Sequence, residues 1–321
     1  MTLRPPDTGL PRRLPPAGLE ASDAMGALFS LAAALLTAGG VALASADSAL
    51  LWAVGQVLLA LAFLQWFSLL HEAGHGILFQ SPSPNRVVGW IAGFLTLIPF
   101  PGWCVVHGAH HRWTGWRDLD ASSEILAPRP RRAVERGLWN VAWATWLPLF
   151  SIVYRWSNFW NVARFLRFHP ESARAAIVPG MLHLLGYAAL VVVIGPSELM
   201  ALAGPGLLLG LALQDLVLLS QHTHIPTPSS QGVEARPRSG REQATYTRSI
   251  ALPPWLGVGL LCGIGEHELH HAFPQVPGYR LHRIPASPPR RVRALAFLRQ
   301  AKRLRGTQFL FSDGEATGLD V

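Results

Sequence analysis

Charge is scarce in this chain. Only 14% of its 321 residues are Asp, Glu, Lys or Arg, and half are hydrophobic; a soluble domain carries about a quarter charged residues. Mean hydropathy is +0.27. An ordinary soluble globule is excluded, and an integral membrane protein is indicated. Cysteine is nearly missing. Cys104 and Cys262 stand far apart with no CxxC, which excludes a disulfide framework, a zinc ribbon and an iron–sulfur module. A haem-type HPGG motif is also absent. Lys302 is the single lysine, and every other basic side chain is Arg. With the abundant Ala and Gly this reads as genome composition. Net charge is +8 and the pI is near 10.6. In a soluble protein that excess would suggest nucleic acid. Beside long apolar runs it reads instead as loops held on an anionic cytoplasmic membrane face. No cleavable signal peptide is evident, because the first apolar run follows a Pro- and Arg-rich stretch and leads straight into a second.

Four apolar runs are present: residues 25–46, 49–70, 175–194 and 199–220. About 20 residues at ~1.5 Å each cover a ~30 Å hydrocarbon core, so each is predicted to span. Residues 87–101 are apolar but too short, and are predicted to be re-entrant or interfacial. Residues 139–160, rich in Trp, fit a membrane interface. The predicted organisation is a Pro/Arg-rich tail (1–24), a membrane domain (25–280) and a basic tail (281–321). The turns at 47–48 and 195–198 contain no Arg or Lys. All basic residues therefore share one face, predicted to be cytoplasmic and to carry both termini, in a multi-pass protein of a bacterial inner membrane.

The histidines gather on that face. His71 and His75 form HxxxH at the end of the second run; on a helix they lie one turn apart on one face, as two imidazoles binding one metal require. His107, His110 and His111 form HxxHH, and His267, His270 and His271 form a second HxxHH. His222 and His224 lie just past the fourth run. Three such clusters on one face point to a shared metal site. His169, His183 and His282 match no cluster and are read as solvated or hydrogen-bonded. Imidazole suits Fe, Cu and Zn. Zinc would use three or four ligands, so eight or nine imidazoles with few carboxylates suggest two metals with positions open for oxygen chemistry.

The segments HEAGH (71–75), IPFPGWCVVHGAHHRWTG (98–115), QHTH (221–224) and HELHHAFPQVP (267–277) together resemble the membrane fatty acid desaturases, most nearly the methyl-end, oleate-type branch. The resemblance runs from about residue 70 to 280. It implies an all-α integral membrane fold of four transmembrane helices, with a cytoplasmic cap holding a histidine-rich, non-haem di-iron site. It also implies O2-dependent removal of two hydrogens from an acyl chain of a lipid or acyl thioester, with electrons from a separate ferredoxin or cytochrome b5 type donor. Carried over, the iron ligands are His71, His75, His107, His110, His111, His267, His270 and His271. A ninth ligand follows the fourth span, where His222 and His224 both qualify; the pattern of an apolar stretch, a polar residue and then the ligand leans to His222. The chain departs from the pattern in two places. AFP replaces LF after the last box, and the Asn that relatives can carry four residues before the ninth ligand is replaced by Leu218 or Ser220.

Acids that fix metal-bound imidazoles are sought nearby. Asp215 is the leading candidate for orienting His222, since it is seven residues earlier on the same predicted helix and an intramembrane carboxylate is costly. Glu72, Asp118, Asp120, Glu124 and Glu266 are further candidates. The basic stretch 280–305 reads as an anchor on anionic lipid or as docking for an acidic donor. Two other functions fit parts of the pattern: a hydroxylase or ketolase acting on carotenoids, alkanes or other lipids, and a histidine-rich metal sensor or carrier. A carrier would need polar residues through the spans, and these nearly lack them.

Overall fold

A computed structural model of the protein describes residues 15–285 and 290–321. Residues 1–14 of the expected N-terminal tail lie outside the described residues. Among the described residues, four helices are long and apolar enough to cross a membrane. The first two, α1 (Asp23–Ala44) and α2 (Ala49–His75), are each capped by a serine, Ser22 and Ser48, whose hydroxyl accepts an amide of the first turn. The other two join at Gly195, whose φ of +92° an L side chain rarely adopts, followed by Pro196 at the first helical position. Between the pairs lie α3 (Pro82–Leu95), α4 (Phe100–Trp113), the short α5 (Ala121–Glu124), α6 (Ala133–Thr145), α7 (Leu149–Arg155) and α8 (Val162–Phe168). Then come the last spans, α9 (Ala173–Ile194) and α10 (Pro196–His222).

The spans predicted from the sequence correspond to these four helices. The largest difference is that α2 and α10 run on past the apolar run to carry His71, His75 and His222 inside the helix. Helix α2 is central: 67% of its apolar window is buried, against 11% for the third span. The exposed Val192 and Val193 on α9 suit lipid rather than water. Helices α2 and α10 run side by side in the same direction. Trp52 and Gln56 donate to Ala201 and Leu202 near their starts, and both chains end among the histidines.

The stretch predicted as re-entrant or interfacial, 87–101, covers the bend between two helices, α3 and α4, which meet at 99°. Pro99 and Pro101 cannot continue α3, and the bend frees backbone carbonyls that need partners away from water. Arg155 Nε donates to Thr96 O at 2.9 Å, and Trp160 Nε1 donates to Leu97 O at 3.0 Å. Leu97 takes a positive φ of 61° at the corner. This hairpin brings α4 and its three histidines back against α2.

After α10 the chain builds a polar cap at the histidine end. It comprises α11 (Gly240–Gln243), strand β1 (Ser249–Ala251), α12 (His267–Ala272), α13 (Gly278–Leu281), strand β2 (Arg291–Arg293), α14 (Ala294–Ala301), α15 (Gly306–Phe311) and α16 (Gly314–Thr317). The two strands pair in parallel, Ile250 opposite Val292. The segment expected as a basic tail is folded onto this cap. Phe297, Phe309, Leu310, Phe311 and Val321 are buried in the main apolar core.

Candidate metal centre

Nine imidazoles converge where α2, α4, α10 and α12 end. One set of ring nitrogens, from His71, His75, His107 and His270, lies within 4.8 Å of one another, as does a second from His110, His222, His267 and His271. His111 joins the first set, its Nε2 3.1 Å from His107 Nε2 and 3.0 Å from His270 Nε2. It also stacks on His271 of the second set, ring centroids 4.4 Å apart. The helical period explains the geometry. His71 and His75, His107 and His111, and His267 and His271 are i, i+4 pairs, while His110 and His270 stand at i+3 in their boxes, so α4 and α12 each feed both sets. His222 comes from the last turn of α10.

His224 stands apart. It has a positive φ of 66°, and its Nε2 hydrogen-bonds Thr317 Oγ1 at 2.7 Å. Of the remaining histidines, His183 donates Nδ1–H to Pro179 O at 2.8 Å, His169 packs on Phe165, and His282 is exposed.

Oxygen acceptors hold the outer nitrogens and turn Nε2 inward. His110 Nδ1–H donates to Asp120 Oδ2 at 2.7 Å and His71 Nδ1–H to Glu72 Oε1 at 3.1 Å. His222 Nδ1–H donates to Tyr246 O at 3.1 Å and His271 Nδ1–H to Gln243 Oε1 at 2.8 Å. Gln243 also donates to His111 O at 2.5 Å, bridging the two HxxHH boxes. Asp120 is itself fixed by the amide of Ser122 and the hydroxyl of Ser123. Burial raises its carboxyl, but the His110 imidazole and these hydrogen bonds outweigh that and hold it below the usual carboxylate range. Glu72 ties two boxes together: its Oε2 accepts the Gly278 amide at 2.8 Å, just past the last box. Glu268 fastens α12 to both strands, accepting the Ser249 amide at 3.2 Å and the Arg290 amide at 2.8 Å.

The other acids point elsewhere. Asp215 Oδ1 accepts the Ser151 amide at 2.7 Å, not an imidazole. Asp118 binds Ser230, Glu124 pairs with Arg164 at 2.8 Å, and Glu266 pairs with Arg291 at 2.5 Å. Gln243, Tyr246 and Glu268 escaped the sequence reading. Tyr246 acts through a backbone carbonyl, which carries no side-chain signal. Gln243 sits in a Pro/Ser/Arg-rich stretch that carries no motif to mark it. Glu268 lies inside the last box and was readable there.

This arrangement fits metal ions. Nε2 atoms face each other at 2.7 Å (His267 and His222), 2.9 Å (His107 and His75) and 3.1 Å (His271 and His267). His222 and His271 already donate through Nδ1 and have only lone pairs to offer at Nε2, and a shared cation would turn that convergence into coordination. His71 Nε2 is buried with no hydrogen-bond partner, as an inward ligand atom would be. Burial, and then the neighbouring imidazoles, hold His267, His270 and His271 well below the ordinary imidazole range, so they are neutral and free to ligate.

A family model described as Fatty acid desaturase matches residues 47–293. The chain is 28% identical over 233 residues to a chloroplastic omega-3 fatty acid desaturase of Sesamum indicum, covering 68% of this chain and 51% of that protein. It is 28% identical over 264 residues to a probable fatty acid desaturase of Sorghum bicolor, covering 77% and 66%. A third relative, 26% identical over 239 residues and covering 68% and 51%, is the sn-2 acyl-lipid omega-3 desaturase (ferredoxin), chloroplastic, of Arabidopsis thaliana. The chain thus spans about half to two thirds of the length of these relatives.

Proposed function

The chain belongs to the fatty acid desaturase family, and we propose that it removes two hydrogens from the acyl chain of a membrane lipid in an O2-dependent reaction. The single observation that carries this reading is the pair of imidazole sets, one of five and one of four, meeting at the end of the apolar spans. Two iron ions would be held by His71, His75, His107, His111 and His270 on one side and by His110, His222, His267 and His271 on the other. Iron is preferred to zinc because zinc has no redox chemistry. When bound, the iron pair supplies the O2 activation and electron transfer that breaking an unactivated C–H bond demands.

The residues of the chain supply the rest. Glu72, Asp120, Gln243 and the Tyr246 carbonyl keep the imidazoles aimed and in one tautomer. The burial of His71, His110, His111, His267, His270 and His271, with Glu72, Asp120 and Gln243 behind them, keeps water from the reacting centre. The apolar spans beneath give an acyl chain an environment it can enter. By the segregation of Arg, the centre faces the cytoplasm, in keeping with a bacterial inner membrane. The names of the relatives favour double-bond formation toward the methyl end, on a lipid-linked chain, with electrons from a ferredoxin-type donor.

Expression in a host that supplies a reducing partner, followed by mass spectrometry of its lipids, tests the reading. Acyl chains two mass units lighter, with new double bonds, are expected. Chains that gain oxygen instead would make the protein a hydroxylase or ketolase.

A further inference from the structure

A second cationic site lies away from the histidines, where α6 begins. An open hollow of about 450 Å³ is lined by Arg129, Arg131 and Arg136, with Thr307 and Phe311 of the C-terminal segment. The Arg131 side chain is only 4% exposed. Its guanidinium lies over the Phe311 ring, 3.4 Å from the centroid. Its Nε and Nη1 are buried without a hydrogen-bond partner. Glu135 Oε1 stands 3.2 Å from Nε, but that carboxylate is 41% exposed and poorly aligned. Arg136 Nη1 braces the loop by donating to Arg131 O at 2.7 Å. Arg129 is 55% exposed, with its closest acid, Glu124, at 4.0 Å. Glu135 gives the guanidinium a nearby charge but no aligned acceptor, so Nε and Nη1 remain open to an acceptor oxygen, and the planar fork matches phosphate oxygens.

The same helix says where that phosphate comes from. Val134, Leu138 and Val141 are 75%, 60% and 57% exposed, at helical spacing on one face of α6. Trp146 and Leu147, 43% and 51% exposed, continue the apolar surface. An apolar stripe beside clustered Arg is the pattern of a helix lying in a membrane interface. Water suits the Arg hollow but not the stripe, whereas a lipid satisfies both. We propose that the hollow seats the phosphate of an anionic phospholipid, with Arg131 as its principal partner, Arg129 and Arg136 as flanking charges, and the acyl chains along Val134, Leu138 and Val141. Lipid held here binds whatever reaction the histidines support, so this site and the desaturase reading fail independently.

The test uses full-length, metal-loaded protein, delipidated in dodecyl maltoside and titrated calorimetrically with dihexanoyl phosphatidylglycerol, dihexanoyl phosphatidylcholine and inorganic phosphate. Wild-type protein binds phosphatidylglycerol tightest. Arg131→Gln weakens that binding about tenfold or more, and the double variant Arg129→Gln/Arg136→Gln weakens it severalfold. Arg236→Gln, at an arginine 74% exposed on another part of the cap, leaves it unchanged. Should Arg131→Gln fail to fold, the double variant at exposed positions decides. Unchanged affinity in the folded Arg131 variant, or in the double variant if that one cannot be made, overturns the site. Inorganic phosphate binding as tightly as the lipid overturns the lipid assignment, as does phosphatidylcholine matching phosphatidylglycerol.

Discussion

Gly74 lies directly beneath the indole of Trp103, so close that any Cβ at residue 74 would overlap the six-membered ring. Trp103 in turn stacks on His107, ring centroids 4.2 Å apart and planes 20° from parallel. The glycine between His71 and His75 thus lets α4 approach α2 until two histidine boxes share one set of nitrogens. Gly74→Ala is expected to push Trp103 and His107 outward. Overpacking of this kind costs about 1–3 kcal/mol, and here it also spoils the ligand geometry. Iron per protein should fall by half or more, and desaturated product should become undetectable. Full iron content in Gly74→Ala would show that the ring can move without cost.

Asp120 fixes one ring of the four-histidine set and no ring of the five-histidine set. Loss of such an outer carboxylate typically weakens metal affinity about 10–100-fold. Asp120→Ala should therefore empty one metal position before the other, giving close to one iron per chain at limiting metal. Spectroscopy that distinguishes an isolated iron from a coupled pair checks this. Loss of both irons together would mean that the two sets bind as one unit.

Much of this centre is legible in the sequence, because its donors are whole histidine side chains at helical spacing. His71 with His75, and the two HxxHH boxes, announce themselves by period alone. The bent α3–α4 hairpin was also readable, from an apolar run too short to cross and ended by Pro99 and Pro101. Read from the sequence alone, Asp120 and Glu72 stand behind Asp215, among five further acids. What ranks them is a contact beyond their own turn: Asp120 meets the His110 ring, and the Gly278 amide sets Glu72 from more than 200 residues away. The folded C-terminal segment was hidden by its charge. Its basic residues mask the apolar Phe309, Leu310 and Phe311, which anchor it in the core.

His222 and His224 both qualify by position, with the sequence pattern leaning to His222, and the geometry separates them. His222 Nε2 lies 2.7 Å from His267 Nε2, whereas His224 turns away through a left-handed backbone to meet Thr317. His222→Ala should lose metal and activity by more than the roughly 10–100-fold that loss of a group behind a metal ligand costs. His224→Ala should keep full iron and most activity, with its effect confined to anchoring of the C-terminal segment. Equal iron loss in both variants would contradict the separation.

Asp215 sits on α10 one layer below the histidines and accepts the Ser151 amide, one of the donors that the first turn of α7 leaves without a helical partner. The same helix carries Arg155, which is buried and holds the Thr96 carbonyl at the α3–α4 bend. Arg155 also donates to Gln214 Oε1 at 2.5 Å, so α7 is clamped to α10 through two adjacent residues. Asp215 therefore supports the hairpin that delivers α4, with no ring of its own to orient. Removal of a side-chain cap costs about 1 kcal/mol, and in a chain of this size that lowers Tm by roughly 1–2 °C. Asp215→Ala should show that drop with two irons still bound, and Asp215→Asn, which keeps an acceptor oxygen, should recover most of it. Iron loss in Asp215→Ala at unchanged Tm would instead return Asp215 to the metal centre.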